Sequence, residues 1–370
     1  MSKVQRKETK GAKRWLFCSW CRSTTYDGMV TVMKNMEGFY KGINLGGWIS
    51  QCYDYSEEHY NSFIVEKDID IIKSWGVDHV RLPVDYNVVQ NEDGSFIESG
   101  FKHIDDCITW CKKNGLKIVL DLHKTCGYVF DDAEYCGFFF DERLQKMFFD
   151  LWMELTRRYG KEDIIVFELL NEVTEERFAE PWNEISTKAI KMIHEVEPEK
   201  VVMIGGIYNS SIYGLTKLPK PVDENVVYTF HCYDPMIFTH QDAPWVPKIP
   251  AGYKLSYRKP VEFLRSESLK YFGTDFDGHF KDLDQSAVIN ADFFRNLFKT
   301  ALDVAKKYNV ELYCGEYGVI ERAAREDALE WFKDIHEVLE EEKIPRAAWS
   351  YRQMDFDLLA DDNAEIRKYF

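Results

Sequence analysis

Long hydrophobic runs are missing from this sequence. No stretch approaches the roughly 20 apolar residues of a membrane span, and the longest apolar run near the N-terminus, Trp15 to Trp20, is broken by polar residues. It is too short for the run of about 7 to 15 apolar residues that a secretory leader needs. No membrane partner is therefore expected, and the chain reads as cytoplasmic, or as secreted if its start codon is misassigned. Positive charge is scarce as well. The formal net charge is -16, so nucleic acid and anionic bilayers would be repelled. Cys18 and Cys21 form a CxxC, but the second pair that a zinc ribbon requires is absent; neither a metal nor a cofactor is expected. Internal repeats and low-complexity tracts are lacking too.

What remains is a chain of 370 residues, 45% hydrophobic, which suits one sizeable domain better than two. The first 38 residues form a basic, irregular extension, which an alternative start at Met36 would largely remove, and the domain is placed at 39–370. The nine cysteines are an odd number scattered through the expected strands and helices, as for reduced, buried thiols of an intracellular protein. Ten Trp, 21 Tyr and 25 Phe exceed what a core of this size needs, and flat aromatic faces suit the apolar face of a pyranose ring. A monomer that binds a neutral ligand is the expectation.

From Phe39 onward, short β-rich runs alternate with amphipathic helical patterns, which indicates βα units and a parallel sheet. The strands are expected at YKGINLGG from Tyr40, HVRLPVD from His79, KIVLDLH from Lys117, IIVFELLNE from Ile164, VVMIGGI from Val201, VVYTFHCYD from Val226, VELYCGEYG from Val310 and AAWSYRQ from Ala347. Eight strands in an α/β chain of this length argue for a closed (β/α)8 TIM barrel. One helix is expected from Glu57 to Trp75, stopped by Gly76, a second from Phe101 to Lys113, and a third from Leu144 to Tyr159. After the sixth strand an irregular insertion runs from about 235 to 288, long enough to be functional.

Catalytic groups of such barrels sit where the strands end. Those positions hold Arg81 and Asp85, His123, Asn171 and Glu172, His231 and Tyr233, Glu316, and Trp349. Taken singly, a strand-end Glu is more often a salt-bridge partner and a lone His a satisfied core residue. A polar ring spread over six strand ends points the other way. Two carboxylates from different strands of one barrel mouth are what a retaining glycosidase requires, one protonated to assist the leaving oxygen and one ionised to attack the anomeric carbon. Arg81 and Tyr233 should depress the pKa of Glu316 and keep it ionised, Asn171 could hold a sugar 2-OH beside Glu172, and Trp349 reads as a sugar platform. Trp245 could be platform or loop packing, and packing is favoured for Trp48. Retention requires the two carboxyl groups about 5 to 5.5 Å apart; a separation nearer about 9 Å would instead imply inversion.

The ordered set Arg81, His123, Asn171-Glu172, His231-x-Tyr233, Glu316 and Trp349 resembles glycoside hydrolase family 5, from about Phe39 to the C-terminus. Segments such as GINLGGWIS, VFELLNEV, FTHQ and LYCGEYGVI are similar to its clostridial endoglucanase C type. The resemblance implies a retaining endo-β-glucanase acting on β-1,4 or mixed-linkage β-1,3-1,4-glucans or their oligosaccharides. It further implies Glu316 as nucleophile, Glu172 as acid/base, and substrate binding by Arg81, His123, Asn171, His231, Tyr233 and Trp349. Val173 departs from the Pro that many members carry after the acid/base, and the N-terminal extension has no counterpart. Alternatives on the same scaffold are an exo-β-1,3-glucanase or a β-mannanase. A metal-dependent barrel using His123, His231 and Asp121, and a barrel that binds carbohydrate without cleaving it, are the readings from other classes.

Overall fold

A computed structural model describes residues 34–132 and 135–370; the Cys18–Cys21 pair lies outside them. Eight parallel strands close into a barrel in chain order, each bonded to its sequence neighbours and the last to the first. They are β1 Lys41–Asn44, β2 His79–Asp85, β3 Lys117–Lys124, β4 Ile165–Glu168, β5 Val202–Gly205, β6 Val226–Cys232, β7 Glu311–Tyr317 and β8 Arg346–Ala348. Every residue of β2 and β6 is buried, as parallel strands covered on both faces must be. This is the (β/α)8 barrel expected from the alternation of short strands and helices.

The base of the barrel is closed by a small apolar cluster that includes Met36, Phe39, Val119, Val166 and Tyr313. The backbone N–H groups of Lys34, Asn35 and Met36 all donate to the Glu311 carboxylate, so packed structure begins upstream of Phe39. At the opposite, C-terminal end the ladders are irregular. The register shifts between Val84 and Asp85 and again between Phe230 and His231. Such bulges re-aim side chains, and here the second one sets His231 opposite Glu316.

Two elements differ from expectation. The helix placed at Glu57 to Trp75 is two helices, Glu57–Phe63 and Glu66–Ser74. Ile64 and Val65 between them are extended, and the Asp68 carboxylate accepts from the Val65 N–H at 2.9 Å, which caps the second helix where it starts. The connection after β6 is not irregular throughout, because it carries a helix at Val261–Phe272. Gln241 of the FTHQ segment ties it together: its amide accepts from the Leu255 N–H at 2.9 Å and donates to the Leu255 carbonyl at 3.1 Å. Arg258 and Tyr257 then anchor it to Asp334 on the helix Arg325–Glu341.

No helix among the described residues is long and apolar enough to cross a membrane. The seven described cysteines are unpaired, and six are buried.

Candidate active site

Arg81 is the hub of the barrel mouth. The strand β2 carries it inward with its side chain fully buried, where an unpaired guanidinium would be prohibitively costly. It is instead saturated. Nε and Nη2 donate to Glu168 at 2.7 and 3.1 Å, Nη1 to Glu316 at 2.8 Å and to Asn44 at 3.0 Å, and Nη2 to Asn171 at 2.9 Å. Asp121 lies 3.0 Å away as a further ion-pair partner. One cation therefore faces three buried carboxyls, and burial pushes Asp121 up to about 7 and raises Glu168 despite Arg81.

Glu172 follows β4 and faces two partners. His231 Nδ1 is 2.8 Å from Oε1, and Asn209 Nδ2 donates to Oε2 at 2.8 Å. Its main-chain carbonyl accepts from the Tyr128 hydroxyl at 2.7 Å, which fixes the turn that carries it. Burial, opposed by Asn209, pushes the Glu172 carboxyl up to about 7. Such a group holds its proton at mildly acidic pH and can give it to a leaving oxygen.

Glu316 ends β7. Oε1 accepts from Arg81, and Oε2 accepts from the Tyr233 hydroxyl at 2.9 Å. These donors do pull its pKa down, but the expectation that they leave it depressed needs correction. Burial dominates and leaves Glu316 above the ordinary carboxylate range, with His231, Arg81 and Tyr233 pulling down and Glu172 pushing up. The two carboxyls face one another: an oxygen of Glu172, one of Glu316 and a ring nitrogen of His231 all lie within 4.8 Å of each other. Like charges that close cannot both ionise easily. The one held by Arg81 and Tyr233 is the one to lose its proton first.

The remaining expected residues converge here as well. His123 pairs through Nδ1 with Asp121 at 2.6 Å and through Nε2 with the Gln51 amide oxygen at 3.1 Å, and burial keeps it neutral. Trp349 lies parallel to the His123 ring, centroids 5.7 Å apart and planes 10° apart. Asn171 turns its carbonyl to Arg81, which leaves its NH2 to donate elsewhere. Asp85 is not a member of the ring: it accepts from Ser50, from the Gln51 N–H and from Tyr55, and so pins the loop after β1. Trp48 is core, its N–H bonded to the Tyr60 carbonyl, whereas Trp245 is half-exposed beside His240.

Sequence reasoning missed Glu168, Gln51 and Asn209. A Glu inside an otherwise apolar β4 was a visible signal for the first; only tertiary contacts reveal the others. His123, His231 and Asp121 do not converge as the metal reading requires, since His123 bonds Asp121 while His231 bonds Glu172. Among the described residues the group that could hold an ion is Glu172, His231 and Glu316; its two carboxylates already accept from Arg81, Tyr233 and Asn209, while His231 Nε2 has no hydrogen-bond partner.

The family description "Cellulase (glycosyl hydrolase family 5)" matches residues 39–355. The chain belongs to glycosyl hydrolase family 5. It is a glycoside hydrolase of the cellulase type, and relatives span nearly its whole domain. Cellodextrinase A of Ruminococcus flavefaciens is 46% identical over 316 residues, 85% of this chain and 86% of that protein. Endoglucanase C of Acetivibrio thermocellus is 38% identical over 339 residues, 90% of this chain and 96% of that one. Among solved structures, the clostridial cellulose synthase subunit Z from Clostridioides difficile superposes with a TM-score of 0.70 at 26% identity, covering 90% of this chain and 99% of that one.

Proposed function

We propose that this family 5 hydrolase cleaves β-1,4-linked glucans and their oligosaccharides with net retention, Glu316 acting as nucleophile and Glu172 as general acid/base. The observation that carries this reading is that an oxygen of Glu172 and one of Glu316 lie within 4.8 Å of each other, which is compatible with carboxyl groups spaced by about 5 to 5.5 Å as in retaining enzymes.

In the first step a Glu316 oxygen bonds the anomeric carbon while the glycosidic C–O bond breaks, and the proton of Glu172 passes to the departing oxygen. In the second, Glu172 takes a proton from water as the water oxygen bonds the same carbon, and the ester electrons return to Glu316. Two inversions give retention. Arg81 and Tyr233 stabilise the carboxylate that leaves, and Asn171 would donate to the 2-OH, where a hydrogen bond strengthens in the transition state. Trp349 offers the sugar a stacking face.

The cellodextrinase and endoglucanase names of the relatives favour β-1,4-glucans and, above all, soluble cellodextrins; mixed-linkage β-1,3-1,4-glucan fits the same cleft chemistry. Proton NMR of the first product from cellotetraose tests the mechanism: β-anomer should appear first, and initial α-anomer would mean inversion. A panel of cellodextrins, carboxymethylcellulose, barley β-glucan, laminarin and mannan tests the substrate. Fastest turnover of cellodextrins is expected, and preference for laminarin or mannan would overturn that choice.

A further inference from the structure

After β5 the chain turns through Tyr208, Asn209 and Ser210, whose φ values are 58°, 57° and 52°. Three consecutive non-glycine residues in the left-handed region run against the side-chain sterics of L-amino acids. Such a conformation persists only where the surroundings over-determine it, and here they do. A Cβ on Gly206 would lie 2.3 Å from the Gly214 carbonyl oxygen, and one on Gly205 would lie 2.4 Å from Ser210 Oγ. The turn is aimed at a single target. Tyr208 and Asn209 donate their backbone N–H groups to the carbonyls of Thr174 and Val173, both at 2.9 Å, and Ser210 Oγ donates to the Asn171 carbonyl at 3.0 Å. The left-handed turn is thus laid along the segment 171–174 that carries Glu172, and it delivers the Asn209 amide to Oε2 at 2.8 Å.

Glu172 has to serve in two protonation states. Burial favours the protonated acid and so suits bond cleavage, but it disfavours the ionised form that must take a proton from water. We propose that Asn209 is a positioning residue for the second half-reaction, its amide clamped by the left-handed turn so that it donates to the ionised Glu172 carboxylate while water is deprotonated. This rests on the double-displacement reading above. The other groups facing Glu172 are His231 from β6 and Tyr233 just after it, Glu316 from β7, Arg81 from β2, Asp121 from β3, and Tyr128 and Asp131 in the loop after β3. Of these, Asp131 pushes the Glu172 carboxyl up and Arg81 pulls it down, whereas Asn209 pulls it down by direct hydrogen bonding.

The test compares wild type with Asn209→Gly, which accepts a positive φ without strain and removes only the amide, with Asn209→Asp, which keeps the backbone preference but replaces the donor by a carboxylate, and with Glu172→Ala. Dinitrophenyl β-cellobioside needs no acid to depart, so its kcat reports hydrolysis of the glycosyl-enzyme. For Asn209→Gly, kcat on this substrate should fall roughly tenfold with KM falling in parallel, and the alkaline limb of kcat/KM on cellodextrins should move up by about one pH unit. Asn209→Asp should move the limb at least as far, and it serves as the readout if the Gly variant does not fold. Wild-type kcat, KM and pH profiles in both variants would overturn the proposal. So would a fall in kcat with KM and the limb unchanged. Glu172→Ala distinguishes the underlying assignment: slow turnover rescued by azide upholds it, and wild-type turnover by that variant would overturn it instead.

Discussion

The Tyr233 hydroxyl donates to Oε2 of Glu316 at 2.9 Å, on the opposite oxygen from the one that Arg81 holds. Each carboxylate oxygen therefore has its own donor, so the carboxylate proposed as nucleophile is held in orientation as well as stabilised. Burial raises Glu316, and the Tyr233 bond is one of the forces opposing that rise. Removing it must raise the Glu316 carboxyl further.

Tyr233→Phe should therefore shift the acid limb of the kcat/KM profile upward by about one pH unit, the worth of one hydrogen bond to a charged group. The alkaline limb, governed by Glu172 near 7, should stay in place. The bell narrows, and the largest loss of activity falls on its acid side. A pH series on a soluble cellodextrin measures this, and an unmoved acid limb would contradict the assignment of that limb to Glu316.

Most of the site was legible in the sequence because a barrel strand leaves little freedom. Once VFELLNE and LYCGEYG are strands of one parallel barrel, Glu172 and Glu316 must emerge at the same rim, and Arg81, His123 and His231 follow by the same rule. Other features were not legible, because they depend on who meets whom. The break at Ile64 and Val65 sits inside a continuous helical pattern and is decided by Asp68 capping the next turn. Glu168 stands out in an apolar strand and Asp121 was a candidate ligand, but that both pair with Arg81 is shown only by the tertiary contacts. Asn209 carries no strand-end signal, since its place depends on a left-handed turn that only the packing against residues 171–174 imposes. The direction of the Glu316 shift was misjudged for a related reason: the donors were visible in sequence, but the depth of burial was not.

Gly46 sets the position of the expected sugar platform. A Cβ there would lie 2.8 Å from Cη2 and Cζ2 of Trp349, and the indole cannot retreat freely because it lies parallel to His123. Gly46→Ala should tilt the indole and raise KM for cellodextrins roughly tenfold, with a stability cost of about 1–3 kcal/mol for overpacking. Gly278→Ala, where an added Cβ meets nothing within 4 Å, is the control and should keep the wild-type KM. An unchanged KM in Gly46→Ala would show that the indole face does not contribute to binding.

Glu172 should also limit stability above neutral pH. Its carboxyl is raised from 4.5 to about 7 in the folded protein, so the folded state binds the proton more tightly than the unfolded state does. The sign follows from linkage: the contribution is fully present below the unfolded value and is lost as pH rises through the folded one. Between about pH 4.5 and 7 the native state thus loses stability from this group, roughly 3–4 kcal/mol in all. Glutamine mimics the protonated carboxyl and never ionises. Glu172→Gln should accordingly melt close to wild type at pH 5 and above it at pH 8, while activity on cellodextrins falls by orders of magnitude, the trade expected where a buried ionisable group is kept for function. Asp121 and Glu316, both raised chiefly by burial, are also pushed up by the Glu172 charge, so losing that charge eases both and adds to the gain of the Gln variant at pH 8. Thermal melts of the pair at several pH values give the answer directly, and a gap that stays constant from pH 5 to 8 would mean that Glu172 is not held protonated by its burial.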